Sequence, residues 1–74
     1  MNLTIRLFAT FRAGRFVSAE REYPPGTTVE GVVDDLSVPK GEIGILLVHG
    51  RHVELDRVLS PGDILSIFPK VGGG

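Results

Sequence analysis

Apolar and polar residues alternate from the first strand-forming position: Leu3, Ile5 and Leu7 are separated by Thr4 and Arg6. A period of two is that of a strand with one buried face. Residues 12–15 read as a turn, and a second strand is predicted over residues 16–23, with Val17, Ala19 and Tyr23 on one face. Arg21 falls on that same face, which predicts a bulge, a snorkelling side chain or an edge position. Pro24-Pro25-Gly26 ends the strand. Val29, Val32, Val33 and Leu36 then follow helical spacing and predict a short helix over residues 28–36. Thr27 and Glu30 have capping-box spacing, and Thr28 is an almost equally good cap. Gly31 costs this helix about 1 kcal/mol relative to alanine. Three valines weaken it further, so packing on a sheet must hold it.

Val38-Pro39-Lys40-Gly41 reads as loop, followed by an apolar strand over residues 45–49, a tight Gly50-Arg51 turn and a short strand over residues 52–55. Pro61-Gly62-Asp63 turns the chain into a last strand over residues 64–68. This order predicts an α+β roll, one main helix across a mixed sheet of four to five strands. The first strand would pair in parallel with the last, with the helix in the crossover. Parity places Leu3, Ile5, Leu46, Val48, Leu65 and Ile67 toward the helix. It places Phe8, Leu47, Ser66 and Phe68 on the open face. If strands one, three and five are neighbours, Phe8, Leu47 and Phe68 form an exposed apolar patch, which marks a partner site. Phe11 either joins that patch or caps the core.

Composition narrows the chemistry. Seventy-four residues make one domain, divided into a body over residues 1–71 and a glycine tail over residues 72–74. A hydrophobic content of 42% with 23% charged residues is that of a globular chain. Eight basic against nine acidic residues give a net charge of −1, which offers no electrostatic case for nucleic acid or an anionic membrane. Cysteine is absent, so disulfides, thiolate metal sites and thiol nucleophiles are excluded. The N-terminus has no signal-peptide pattern and no stretch approaches about 18 apolar residues, so a cytoplasmic location is expected. His49, His52, Glu54 and Asp56 cluster around a turn and read as surface polar residues; no metal site is expected. No serine has a visible base beside it, so nucleophilic catalysis is not expected. Arg6, Arg12 and Arg51 are candidates for the rim of the open face.

The sequence ends in Gly72-Gly73-Gly74. Glycine has no Cβ, so such a tail threads channels that other residues would block. An α-carboxylate, with a pKa near about 3.5, is ionised at neutral pH and is a poor electrophile until it is activated.

Several stretches in order resemble the β-grasp sulfur carriers of the MoaD/ThiS family, which share the ubiquitin fold. They are Leu7-Phe8-Ala9-Thr10-Phe11-Arg12, Pro25-Gly26-Thr27-Thr28-Val29, Leu47-Val48-His49-Gly50, Pro61-Gly62-Asp63 and the ending Phe68-Pro69-Lys70-Val71-Gly72-Gly73-Gly74. The first and last look most like the molybdopterin synthase small subunit. Asparagine is usual in that family where His49 stands, and a second proline where Lys70 stands.

The resemblance implies a carrier rather than an enzyme. An E1-like adenylating enzyme would use ATP to activate the Gly74 carboxylate, which becomes a thiocarboxylate. Gly73 and Gly72 would complete the tail. Phe8, Leu47, Phe68, Pro69 and Val71 would meet partners. The acceptor would be an enzyme such as the large subunit of molybdopterin synthase, and the chain itself would bind no cofactor. Two uses of the same end stay open: a ubiquitin-like modifier joined to other proteins through Gly74, and a sulfur carrier of the thiazole (thiamine) pathway.

Overall fold

The computed structural model describes residues 1–71. Five strands form one sheet: β1 (Asn2–Leu7), β2 (Ser18–Glu22), β3 (Ile43–Val48), β4 (Arg51–His52) and β5 (Ile64–Pro69). Their spatial order is β2-β1-β5-β3-β4. The first strand pairs in parallel with the last, and the other pairings are antiparallel. One helix, α1 (Val29–Asp35), packs its three valines on the sheet. The arrangement is a β-grasp roll, as the order of elements predicts.

Strand parity sorts the faces. Leu3, Ile5, Leu7, Leu46, Val48, Leu65 and Ile67 are buried together with Val29, Val32 and Val33. Phe11 lies in a short 3-10 turn, Ala9–Arg12, and is buried, so it caps the core rather than joining the open face.

The edges of the elements differ from the sequence reading for physical reasons. Strand β2 starts at Ser18, because its pairing with β1 ends at the Arg6 and Ser18 positions. It pairs only with β1 and so is an edge strand in regular register. Arg21 lies with its guanidinium 5.1 Å from the Phe16 ring centroid. No bulge is needed there. Thr28, not Thr27, caps α1: its hydroxyl accepts from the Gly31 amide at 3.1 Å. The Thr27 hydroxyl instead donates to the Pro24 carbonyl at 2.7 Å, inside the turn before the helix. Glu30 has no capping-box role and pairs with Lys40 at 3.0 Å.

Strand β4 is only Arg51–His52, since Val53 turns into the core. The chain beyond it runs along α1. The carbonyls of Leu55 and Arg57 accept from the amides of Glu30 and Val29, which have no partner inside the helix.

The other end of α1 closes in a Schellman arrangement. Val38 N donates to Val33 O at 3.0 Å and Ser37 N to Asp34 O at 3.1 Å, with Ser37 at φ 56°. Arg15, read from sequence only as part of a turn, donates from Nε to Leu36 O and from a terminal nitrogen to Ser37 O. A cation thus meets the carbonyl end of the helix, where its dipole favours positive charge.

Candidate functional site

The open face of the sheet gathers apolar side chains at the end where β5 leaves it. The Phe8 and Phe68 rings stack with centroids 4.0 Å apart and planes 10° from parallel. Together with Ala9, Thr10, Ile45, Pro69, Lys70 and Val71 they line a groove of roughly 540 Å³. Val71, 88% exposed, is the last described residue at its mouth. Gly72, Gly73 and Gly74 lie outside the described residues.

Four of the five partner-facing residues expected from sequence, Phe8, Phe68, Pro69 and Val71, line the groove. Leu47 lies on the same face, opposite Ser66 and His52, but one pleat away from the groove. Ile45 takes its place. It pairs with Phe68 and is 45% exposed. Its alternation with Leu46 was the signal available in the sequence. Its neighbour Gly44 weakens the reading of a strand there.

Gly44 has a specific job. The β3–β5 register shifts between Ile43 and Ile45. A Cβ on Gly44 would lie 2.8 Å from the Pro69 carbonyl oxygen and 2.9 Å from Lys70 Cα. Only glycine lets the two backbones pass this closely. Beyond the crossing, Lys70 N donates to Glu42 O at 2.9 Å. The last strand therefore does not end at Phe68, as its expected range had it, but includes Pro69. Pro69 pairs with Ile43, and the backbone stays anchored through Lys70.

Arg12 belongs to the groove's rim. Its Nε donates to the Leu7 carbonyl at 2.8 Å, and its guanidinium carbon lies 5.4 Å from the Phe8 ring centroid. Phe8 thus takes part in both a cation–π contact with Arg12 and a stacked pair with Phe68. Arg6 shares the open face, opposite Ser18 and Ser66. Arg51 does not join this rim, for it sits opposite Val48, on the core-side parity at the other end of β3. Ala9 holds φ 52° at the groove wall. A non-glycine residue in this region carries strain of about 1–2 kcal/mol.

The histidines lie elsewhere. His49 holds φ 50° between β3 and β4. Asparagine and histidine are among the few residues other than glycine that tolerate this conformation, which accounts for the exchange at this position. His49 Nε2 lies 3.1 Å from Asp63 Oδ1, and the buried Asp63 also accepts from Ser60 N at 2.8 Å. His52 Nδ1 is 3.9 Å from Glu54. Among the described residues no three His, Cys, Asp or Glu side chains group closely enough to hold a metal ion. No helix among them is long and apolar enough to cross a membrane.

A single helix grasped by a five-stranded mixed sheet, with an apolar groove where the last strand leaves it, defines a ubiquitin-like β-grasp protein of the MoaD/ThiS type. Comparison with known proteins agrees. The family model described as Mut7-C ubiquitin matches residues 5–72. The chain therefore belongs to the Mut7-C ubiquitin family. The solution structure of the Haloferax volcanii protein HVO 2177 is 31% identical with a TM-score of 0.80, covering 100% of this chain and 87% of that one. A Pyrococcus furiosus protein provisionally assigned as molybdopterin converting factor subunit 1 is 29% identical with a TM-score of 0.77, covering 96% and 99%. SAMP1 from Haloferax volcanii shares the fold at 23% identity, with a TM-score of 0.78 and full coverage of both chains. No curated protein matches the sequence.

Proposed function

We propose that the chain is a sulfur carrier whose Gly74 carboxylate is adenylated by an ATP-dependent, E1-like partner and converted to a thiocarboxylate. The sulfur goes to an acceptor enzyme, as a small subunit would deliver it to the large subunit in molybdopterin synthesis. The observation that carries this reading is the apolar groove beside the exit of β5. It supplies a docking surface at the root of a side-chain-free tail. The likeness to a converting-factor subunit 1 supports the molybdopterin branch.

The chemistry asks little of the folded body. It must hold the partner, aim the tail and offer no competing nucleophile. The sequence has no cysteine to capture the activated acyl group. From Val71 to Gly74 the backbone spans at most about 14 Å, enough to enter a neighbouring active site. The groove and the pinned Lys70 fix where that span begins. In this scheme the chain is substrate and subunit, not catalyst. It binds no cofactor of its own, ATP being consumed by the activating partner, and the reaction belongs in the cytoplasm.

The test is intact mass after incubation with ATP, an activating enzyme of this class and a sulfur donor. Replacing one oxygen of the Gly74 carboxylate by sulfur is expected to add about 16 Da. An unchanged mass with the cognate activator overturns the reading. Removal of Gly73 and Gly74 is expected to abolish sulfur transfer while leaving the fold intact. A mass increase matching attachment to lysines of other proteins, in place of sulfur exchange, would favour use as a protein modifier.

A further inference from the structure

The net charge of −1 hides a local imbalance around the groove. Glu30, Asp34 and Asp35 lie along α1, on the covered side of the sheet. There Lys40 is held by Glu30 at 3.0 Å and Asp34 at 3.3 Å, and Asp35 accepts from the Tyr23 hydroxyl at 2.9 Å. Around the groove on the open face the charged residues are cations. Lys70 lines it, Arg12 stacks on its wall, and Arg6 stands two residues before Phe8 on the same side of β1. Among the described residues no carboxylate lines the groove. The open-face acids of the strands, Glu20 and Glu22, lie on edge strand β2 opposite Thr4 and Asn2. Among the described residues Arg6, Arg12 and Lys70 enter no ion pair, within a surface that pairs its other lysine twice.

Arg12 is also preorganised. Its Nε–Leu7 hydrogen bond and its seat over Phe8 fix the plane of the guanidinium. Its terminal nitrogens make no hydrogen bond among the described residues. A fixed fork of donors beside an apolar slot is suited to a carboxylate that arrives next to a large apolar side chain, because little side-chain freedom remains to be lost on binding.

We infer that the partner surface read by this groove is an acidic-apolar protein segment. A large apolar side chain fills the slot between Phe8, Ile45 and Phe68, and an adjacent carboxylate meets Arg12, with Arg6 and Lys70 adding longer-range attraction. This inference rests on the groove being the docking surface of the carrier reading. It adds the chemistry of the segment that docks.

The test is a titration of the ¹⁵N-labelled chain, followed by amide shifts, with two blocked hexapeptides sharing a central Leu-Phe. One is flanked by Asp and Glu, the other by Lys. At about 50 mM salt the acidic peptide is expected to bind about tenfold more tightly, with shifts centred on Phe8, Ile45, Phe68 and Arg12. At about 500 mM salt the preference shrinks, as screening requires. Arg12→Gln is expected to weaken the acidic peptide about three- to tenfold and to leave the lysine peptide unaffected, while amide shifts away from Arg12 and Phe8 stay unchanged. Equal binding of the two peptides, shifts on another face, or unaltered affinity in Arg12→Gln overturns the inference. Preferential binding of an oligouridylate at the same residues overturns it too, in favour of nucleic acid. No activator or ATP is present, so a tail inert to activation would refute the carrier reading and leave this result standing.

Discussion

Gly44 and the Pro69 carbonyl approach so closely that a Cβ on the glycine would sit 2.8 Å from the oxygen. The crossing is backbone on backbone, so no flexible side chain can move aside. Gly44→Ala is expected to cost about 1–3 kcal/mol, in the range of overpacking substitutions. For a domain of this size each kcal/mol lowers Tm by roughly 4–8 °C. The variant should also lose the Lys70–Glu42 hydrogen bond. Hydrogen exchange at the Lys70 amide checks this: protection equal to wild type would mean that the crossing does not anchor the exit of the tail.

Phe68 stands on the open face, so Phe68→Asp should keep the fold. The expected stability loss is the stacked pair with Phe8, about 0.5–1.5 kcal/mol, plus a little exposed area. Partner docking should fall far more than stability, read as slower thiocarboxylate formation at unchanged circular dichroism. An unfolded variant would show that the ring serves the core.

Ser37 caps the helix in the left-handed region, at φ 56°. Its hydroxyl has no role in the cap, which is made by backbone amides. Ser37→Gly is expected to raise stability by about 0.5–1 kcal/mol, because glycine adopts this conformation without the steric cost. Urea unfolding measures it. A destabilised variant would mean that glycine's extra freedom in the unfolded chain outweighs the relieved strain.

Tyr23 donates its hydroxyl to Asp35 at 2.9 Å, and burial, that hydrogen bond and the carboxylate's charge push its pKa from 10.0 up to about 12. The folded value lies above the unfolded one. The stabilisation is therefore complete below pH 10 and is lost as pH rises through 12. It is the only tyrosine and the chain has no tryptophan, so phenolate absorbance reports it alone. The folded protein should titrate near 12, and wild type should lose Tm between pH 10 and 12 more steeply than Tyr23→Phe. A midpoint near 10 in the folded state would show that the Asp35 contact does not persist in solution.

The sequence alone was enough to reach the roll, the helix and the faces of Leu3, Ile5, Leu65 and Ile67, because a period of two or of 3.6 is a local property. Phe8 and Phe68 were legible as open-face residues by the same parity. Their stacking was not, since it needs β1 and β5 side by side in one register. Ile45 and Leu47 have equal parity, and only the register of β3 on β5, which sets Ile45 opposite Phe68 and Leu47 opposite Ser66, decides which of them meets Phe68. Arg12 and Arg15 are similar charges in one turn. Tertiary contacts alone send one onto the Phe8 ring and the other onto the carbonyl end of α1. Periodicity tells a side chain which way to face; its neighbour is chosen by pairings between segments far apart in the chain, and those exist only once the sheet has closed.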